Sequence, residues 1–240
     1  MKLEHEHTRD AIARRIRKGP QVNYLRDWVY GGIDGAVTTF AIVAGVIGAD
    51  LSAGVILVLG LANLLADGFS MAAANYSGTK TELDDYKRLR LMEETHIAQY
   101  PDGEREEIRQ IFLAKGFVGD ELERIVKLVT AHKENWIDTM LTEEHGVSLA
   151  QRSPAKAAGS TFAAFVLCGT VPLLPFALHT GASAFIATVM TAMVFFAIGS
   201  IKSRWSTQHW VWSGLETTSI GLAAAGIAWA IGHLLQGLVG

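Results

Sequence analysis

The chain has 240 residues, of which 50% are hydrophobic and 19% charged, and its formal net charge at pH 7 is only −3. The charge is segregated, because no Lys, Arg, Asp or Glu occurs from Ala157 to Ile201, whereas a soluble domain would carry charge on every surface helix. The apolar segments are about 20 residues long, enough to cross a bilayer core of about 30 Å, so the composition excludes an ordinary soluble domain.

The N-terminal segment, residues 1–25, is charged and amphipathic and has no apolar core, so it is not a cleavable signal peptide. We interpret it as a cytosolic tail. Its run Glu4-His5-Glu6-His7 contains metal-ligand side chains, but a solvated tail explains this composition more simply. The single cysteine, Cys168, excludes an internal disulfide and a cysteine-based zinc finger.

Five apolar segments are predicted to be transmembrane helices, with the bounds Trp28–Gly48, Leu51–Gly78, Ala157–Leu178, Ala182–Ile201 and Val211–Leu235. Lys and Arg concentrate before the first segment, between the second and third, and between the fourth and fifth. With five spans, all these clusters fall on one side of the membrane. The positive-inside rule then places the N-terminus and residues 80–153 in the cytosol.

Residues 80–153 are predicted to form a cytosolic insert of three helices. The second span continues as the charged helix Thr81–Gln99, which Pro101-Asp-Gly stops. Glu104–Lys115 is the second helix, with Gly116 as its C-cap, and Asp120–His145 is the third. The predicted fold is all-α: a polytopic membrane protein with five transmembrane helices, two in residues 26–79 and three in residues 154–240, and the three-helix insert.

Three carboxylates lie inside the predicted spans: Asp34, Asp67 and Glu216. A charge at mid-bilayer costs roughly 2.5–3.5 kcal/mol on insertion scales, so each is a candidate functional residue. Asp27 lies two helical turns before Asp34 on the same face and marks the cytosolic entrance. Glu216 lies near the start of its span, and a position at the lipid headgroups explains it equally well.

The second span carries a polar stripe at intervals of four residues, formed by Asn63, Asp67, Met71 and Asn75. A thioether beside carboxylate and carboxamide oxygens suits Fe²⁺ or Mn²⁺ better than Mg²⁺ or Ca²⁺. Core filling also explains Met71 alone, and bonds between helices also explain the asparagines. On the first span, Gly31-x-x-x-Gly35 lets a neighbouring helix approach Asp34 closely.

The insert offers a second group of metal ligands. Glu93-x-x-His96 ends one predicted helix and Glu104-x-x-Glu107 opens the next, with each pair on one helix face. The last helix contributes four more candidates near its end: Met140, Glu143, Glu144 and His145. Converging oxygen and imidazole ligands would suit Fe²⁺, Mn²⁺ or Zn²⁺.

Two alternatives to this metal site stay open. Acidic residues in a first helical turn favour the helix dipole, which explains Glu104 and Glu107 without a metal. A different crossing of the insert helices would bring His132 and Glu134, rather than the end of the last helix, to the level of Glu104.

The chain resembles the vacuolar iron transporter family over about residues 26–240. Three stretches carry the resemblance: Arg26-Asp-Trp-Val-Tyr-Gly-Gly-Ile-Asp-Gly-Ala-Val-Thr-Thr-Phe-Ala, Ala66-Asp-Gly-Phe-Ser-Met-Ala-Ala-Ala-Asn-Tyr and Ser213-Gly-Leu-Glu. The first is the most specific, and its position ahead of a span, with a three-helix insert later in the chain, strengthens the resemblance.

The resemblance implies a five-span homodimer whose transport path runs between the subunits and is lined by the first two spans. It implies export of Fe²⁺, and often Mn²⁺, from the cytosol, coupled in several members to inward proton flow. The family's path residues fall here on Asp27, Asp34 and Met71. Its insert ligands fall on Glu93, Glu104, Glu107, Met140 and Glu144.

The chain departs from the family's pattern at two places. Asn63 stands where some members have a membrane glutamate, with Asp67 one turn later, so proton coupling and metal preference stay open. His96 stands where a glutamate is usual, and Leu141 where another acid occurs. The insert site is therefore expected to hold fewer ions or to prefer a softer one.

We predict a transporter rather than an enzyme, one that exports divalent iron or manganese by proton antiport for metal homeostasis and detoxification. The predicted transport path comprises Asp27, Asp34, Asn63, Asp67 and Met71. The predicted insert metal site comprises Glu93, His96, Glu104, Glu107, Met140, Glu143 and Glu144. The candidate proton sites are Asp34, Asp67 and Glu216.

The predicted partners are divalent metal ions, protons, the lipid bilayer and a second copy of the chain, with no nucleic acid. No permanent cofactor is expected, and Zn²⁺ or Co²⁺ can occupy the same sites as the transported Fe²⁺ or Mn²⁺. The membrane is the cell (inner) membrane for a prokaryotic protein and the vacuolar membrane for a eukaryotic one. The lack of a targeting sequence and the compact loops favour the former.

Two rival functions remain. A membrane-anchored di-iron ferroxidase would use two Glu-x-x-His motifs plus two further glutamates, and the only possible mate of Glu93-x-x-His96 is Glu4-x-x-His7. A metal-sensing membrane receptor is the other rival, although no effector domain follows the spans.

Overall fold

The structure is a computed structural model that describes residues 6–19 and 21–239. Glu4 and His5 of the N-terminal Glu-His run lie outside the described residues. The helices in chain order are α1 (Arg9–Lys18), α2 (Leu25–Gly48), α3 (Ala53–Gln99), α4 (Pro101–Ala114), α5 (Gly119–Thr130), α6 (Lys133–Glu143), α7 (Pro154–Thr170), α8 (Leu174–Ala177), α9 (Ser183–Lys202) and α10 (Trp210–Val239). Short 3₁₀ turns at Val171–Leu173 and Ser203–Trp205 follow α7 and α9.

Contacts divide the chain into two compact units, with divisions after Val22, Gly78 and Ser153. We call residues 23–78 with 154–239 the spanning unit, and residues 79–153 with the described residues before 23 the insert unit. Helix α3 contributes residues to both units. Each unit is described by itself.

Among the residues that the structure describes, five helices are long and apolar enough to cross a membrane, which confirms the prediction of five spans. Their bounds are Leu25–Gly48, Ala53–Gln99, Pro154–Ala177, Ser183–Trp205 and Trp210–Leu238. The third span is irregular near its end, where Pro172 and Pro175 lack the backbone N–H that a continuous α-helix needs.

Close contact between α2 and α7 organises the spanning unit. A Cβ atom on Gly31 would collide with the backbone of Thr161, and one on Gly35 would collide with the backbone of Phe165. Glycine at these positions therefore lets the two helix backbones touch, as the Gly-x-x-x-Gly spacing predicted. A cluster of large apolar side chains, including Phe40, Phe165 and Phe195, fills the core beside this contact.

In the insert unit, the predicted helix Asp120–His145 is wrong, because the structure has two helices there. Helix α5 ends at Thr130, and His132 adopts an extended conformation (φ −126°, ψ 116°) that caps the start of α6. Residues 131–135 are exposed and include no large apolar side chain that packing would hold in a helix. The break lets α5 and α6 pack around α4, with Leu122, Val126, Trp136 and Met140 surrounding Ile108.

The insert therefore has four helical segments rather than three. Helix α3 ends at Gln99 as predicted, but Pro101 opens α4 at once, because proline suits the first position of a helix. Gly116 follows the last residues of α4 with φ +93°, in the left-handed conformation expected after a helix end. The single residue between α3 and α4, Tyr100, keeps the end of α3 next to the start of α4.

Candidate metal-binding sites

Two buried glutamates form the centre of a carboxylate cluster in the insert unit. Glu93 near the end of α3 is 1% exposed, and Glu104 in the first turn of α4 is 4% exposed. The Oε2 atom of each has no hydrogen-bond partner within the described part of the chain. A buried carboxylate oxygen without a partner is costly, so these two atoms are candidate ligands for a cation.

Histidines contact the other oxygen of both glutamates. His145 Nε2 lies 2.8 Å from Glu93 Oε1 and donates a hydrogen bond to it. His96 Nδ1 lies 3.4 Å from Glu104 Oε1. Within the described residues, imidazole side chains therefore contact both buried carboxylates.

Burial, together with the mutual repulsion of negative charges in the insert cluster, raises the pKa of two of its carboxyl groups. Burial, followed by the negative charges of Glu107, Glu93 and Glu144, raises the pKa of Glu104 to about 8. Burial and the charge of Glu107 also raise the pKa of Glu144, whereas His145 and His96 lower it. The cluster therefore concentrates the negative charge of four carboxyl groups, which makes it a candidate site for a divalent cation.

The structure brings together most of the predicted insert residues, and it places His145 with them. One donor atom each from Glu93, Glu144 and His145 lie within 4.8 Å of one another. The sequence pattern named His145 among the candidate ligands near the end of the last helix, but the predicted insert site did not include it. The only local signal was the succession Glu144-His145-Gly146, in which glycine ends the helix.

Two predicted insert ligands have other contacts. Glu143 makes an ion pair with Lys115, at 2.6 Å between Oε1 and Nζ. The Met140 side chain is fully buried and packs in the apolar cluster around Ile108. The alternative helix crossing is not the one observed, because Glu134 pairs with Arg90 of α3 rather than approaching Glu104.

In the spanning unit, Asp27 has permanent polar partners. Its side chain is 3% exposed and accepts a hydrogen bond of 2.8 Å from Asn75 Nδ2. Asn75 Nδ2 also lies 2.7 Å from Thr161 Oγ1, so one polar network joins α2, α3 and α7. Asp27 and Asn75 thus have a structural role in joining these helices, whatever else they bind.

Asp34 and Asp67 form the second candidate centre. Both side chains are half-buried, on α2 and α3 respectively, and their negative charges act on each other. Over residues 6–19 and 21–239, no ion pair neutralises Asp34. Two carboxylates whose charges act on each other within membrane-spanning helices are costly without a cation.

The remaining candidates for the transport path and the proton site are Asn63, Met71 and Glu216. Asn63 Nδ2 donates to Thr38 Oγ1 (3.1 Å), and Thr38 Oγ1 donates to the Asp34 carbonyl (2.8 Å), which supports the interpretation of Asn63 as a bond between helices. Met71 is half-buried and packs against the apolar core. Glu216 is exposed near the start of α10.

Comparisons with known proteins agree with the resemblance noted from the motifs. The model of the VIT family matches residues 25–233. The chain is 34% identical over 230 residues to the "Vacuolar iron transporter" of Toxoplasma gondii (strain ATCC 50861 / VEG), covering 91% of this chain and 76% of the relative. It is 30% identical to "Vacuolar iron transporter 1" of Arabidopsis thaliana and 31% identical to that of Eucalyptus grandis, with 88% of this chain and 86% of each relative covered.

Proposed function

Because the chain belongs to the VIT family, we propose that it transports divalent iron, with manganese as a second substrate, across the membrane that its five helices span. The relatives named above are called vacuolar iron transporters, which supports metal transport by this integral membrane protein. Export from the cytosol, proton antiport and a homodimeric assembly are further parts of the proposal.

The observation that carries the proposal is the pair of carboxylates formed by Asp34 and Asp67. They lie in apolar helices, act on each other as like charges, and are half-buried rather than sealed in the core. A divalent cation between them would neutralise both charges at once. A transported ion is therefore the natural partner of the pair.

The insert cluster would gather ions before they enter the spans. Glu93, Glu104, Glu107 and Glu144 supply hard oxygen ligands, and the two histidines supply nitrogen. Such a mixed set binds first-row divalent metals. Glu143 and Met140 take no part in this proposal, since one is paired with Lys115 and the other lies in the apolar core.

Protons would release the ion on the far side of the membrane. A proton on Asp34 or Asp67 removes the negative charge that attracts the cation, so an acidic far side favours release and drives antiport. Glu216 is a third candidate for the proton. The Lys and Arg distribution between the spans supports a cytosolic location of the insert as part of the proposal.

A second copy of the chain would complete the path. Asp34, Asp67 and Met71 are only half-buried in one copy, so a partner packed against α2 and α3 would enclose them. A two-sided cage also provides more ligands than one pair of carboxylates. Proteoliposomes for an uptake test would therefore need to hold the assembled protein.

The test is Fe²⁺ uptake into proteoliposomes under reducing conditions, with a pH-sensitive dye inside. We expect Asp34→Asn to abolish uptake, because it removes one charge of the pair while keeping the side-chain shape. Asp50→Asn is the matched control, since Asp50 lies outside the helices at φ 58° and asparagine tolerates that conformation well. Full uptake by Asp34→Asn, or loss of uptake by Asp50→Asn alone, would refute the path assignment.

Two further arms separate the parts of the proposal. Joint replacement of Glu93 and Glu107 by glutamine should slow uptake without abolishing it, because these residues only gather the ion. Alkalinisation of the vesicle lumen that tracks Fe²⁺ uptake would support antiport, because protons then leave as the metal enters, whereas acidification would refute it. Oxygen consumption driven by Fe²⁺, without uptake, would favour the di-iron ferroxidase over a transporter.

A further inference from the structure

The imidazole of His145 lies in the insert cluster at a position that the family resemblance does not assign. Its Nε2 lies 2.8 Å from Glu93 Oε1, and its side chain is 18% exposed. We infer that His145 is a direct metal ligand through Nε2 and that it shifts the insert site towards ions that prefer nitrogen. This inference rests on the proposed function, because it defines which ions the insert gathers.

The backbone holds His145 in place beyond the end of α6. The amide of His145 bonds to the Met140 carbonyl, and the amide of Val147 bonds to the Leu141 carbonyl at 2.9 Å. Gly146 between them has φ +66°, so the chain turns in the manner of a left-handed helix cap. The imidazole is therefore directed to Glu93 by a defined turn.

The distances suit a first-row ion. Donor atoms of Glu93, Glu144 and His145 lie within 4.8 Å of one another. Such ions bind nitrogen and oxygen at about 2.0–2.2 Å, so two donors to one ion lie at most about 4.4 Å apart. Small rotations of side chains close the difference, and the unpartnered Oε2 atoms of Glu93 and Glu104 are available as further donors.

Metal binding would replace the hydrogen bond between His145 and Glu93 with a bond from His145 to the ion. In the structure Nε2–H donates to the Glu93 carboxylate. Ligation would use the other tautomer of the neutral ring: the proton moves through solvent from Nε2 to Nδ1, and the freed Nε2 lone pair binds the ion. Glu93 and His145 would then share one ion instead of one hydrogen bond. The contact seen without an ion thus prepositions both ligands.

Nitrogen ligation has a consequence for selectivity. Carboxylates alone suit Mg²⁺, Ca²⁺ and Mn²⁺, whereas an imidazole strengthens binding of Co²⁺, Ni²⁺ and Zn²⁺ relative to Mn²⁺. Fe²⁺ lies between Mn²⁺ and Co²⁺ in this order. The insert should therefore favour Fe²⁺ over Mn²⁺ more strongly than a carboxylate-only site would.

The experiment compares Co²⁺ and Mn²⁺ binding to the full chain in detergent, by competition with a chelating dye. We expect His145→Gln to lower the Co²⁺-to-Mn²⁺ affinity ratio about tenfold, the effect of one lost nitrogen ligand. His132→Gln is the matched control, because His132 is exposed at the start of α6 and lies outside the cluster. All variants also carry His5→Gln and His7→Gln, so that the N-terminal histidines cannot contribute.

Pulsed electron paramagnetic resonance of bound Mn²⁺ supplies a readout that a structural role would not move. In a His96→Gln background, ¹⁴N coupling to Mn²⁺ should persist, and the further change His145→Gln should remove it. Unchanged nitrogen coupling or an unchanged affinity ratio would reduce His145 to a hydrogen-bond partner of Glu93 and overturn the inference.

The variant Glu104→Gln shows whether a negative result concerns His145 alone or the whole insert site. If it abolishes insert binding while His145→Gln changes nothing, the inference fails and the proposed transport stands. If Glu104→Gln leaves binding unchanged, the cluster is not the site and the inference also fails. Absence of Fe²⁺ uptake by the wild-type chain in vesicles would refute the proposed function, whatever the insert binds.

Discussion

Replacement of Glu104 by glutamine should stabilise the metal-free insert at neutral pH. The pKa of Glu104 is about 8 in the folded protein against an ordinary 4.5. Between these values the folded state keeps a proton that the unfolded state has lost, so stability falls as pH rises across that window. A pH of 7.5 lies three units above the lower end of this window. Each unit lowers the free energy of unfolding by about 1.4 kcal/mol, so the total loss at pH 7.5 is roughly 4 kcal/mol.

That figure is an upper one, because water that reaches the partly open cluster screens the charges. Glutamine cannot ionise, so it removes this dependence while retaining the side-chain shape. The expected result is at least tenfold stronger hydrogen-exchange protection of α4 amides in Glu104→Gln at pH 7.5, with little difference from wild type at pH 5. Metal binding by the insert should be lost in the same variant.

The assay is hydrogen exchange of the chelator-treated full chain, corrected at each pH for the intrinsic exchange rate. Glu121→Gln is the control, because Glu121 is an exposed carboxylate in the first turn of α5 and should change neither protection nor its pH dependence. Wild-type protection of α4 that is constant from pH 5 to 8, or an equal decline in Glu104→Gln, would refute the reasoning.

Two other substitutions test the spanning unit. Gly35→Ala should destabilise the protein by roughly 1–3 kcal/mol, because its Cβ collides with the α7 backbone. Gly159→Ala has open space around its Cβ and should match or slightly exceed the stability of wild type. Thermal unfolding in detergent compares the two variants, and equal melting temperatures would contradict the close packing of α2 and α7. Met71→Leu conserves volume, so folding should be kept while Fe²⁺ uptake in vesicles falls about tenfold more than Mn²⁺ uptake. Equal loss for both ions would show that the thioether does not select between them.

The insert shows how pattern and packing differ in what they specify. An apolar stripe at helical spacing runs on both sides of residues 131–135, so it is compatible with one helix or two. The turn at His132 exists because α5 and α6 both pack on Ile108, a contact between residues far apart in sequence. Helical periodicity in the sequence does not indicate such a contact.

The sites show the same division residue by residue. The apolar lengths and the acids Asp34 and Asp67 were readable from sequence, because hydropathy is a local sum and a charge in lipid stands out at once. The hydrogen bond from Asn63 to Thr38 and the ion pair of Glu143 with Lys115 were not, since helix spacing does not say which neighbouring helix a polar side chain meets.

The sequence by itself determined the five spans, the Gly31 and Gly35 contact surface and the presence of acidic residues within the spans. Tertiary structure decided that Glu93 and Glu104 are buried side by side with the histidines, and that His145 rather than Met140 or Glu143 meets Glu93. The physical reason is that burial and ligand geometry depend on how helices cross, which long-range packing sets and local spacing does not.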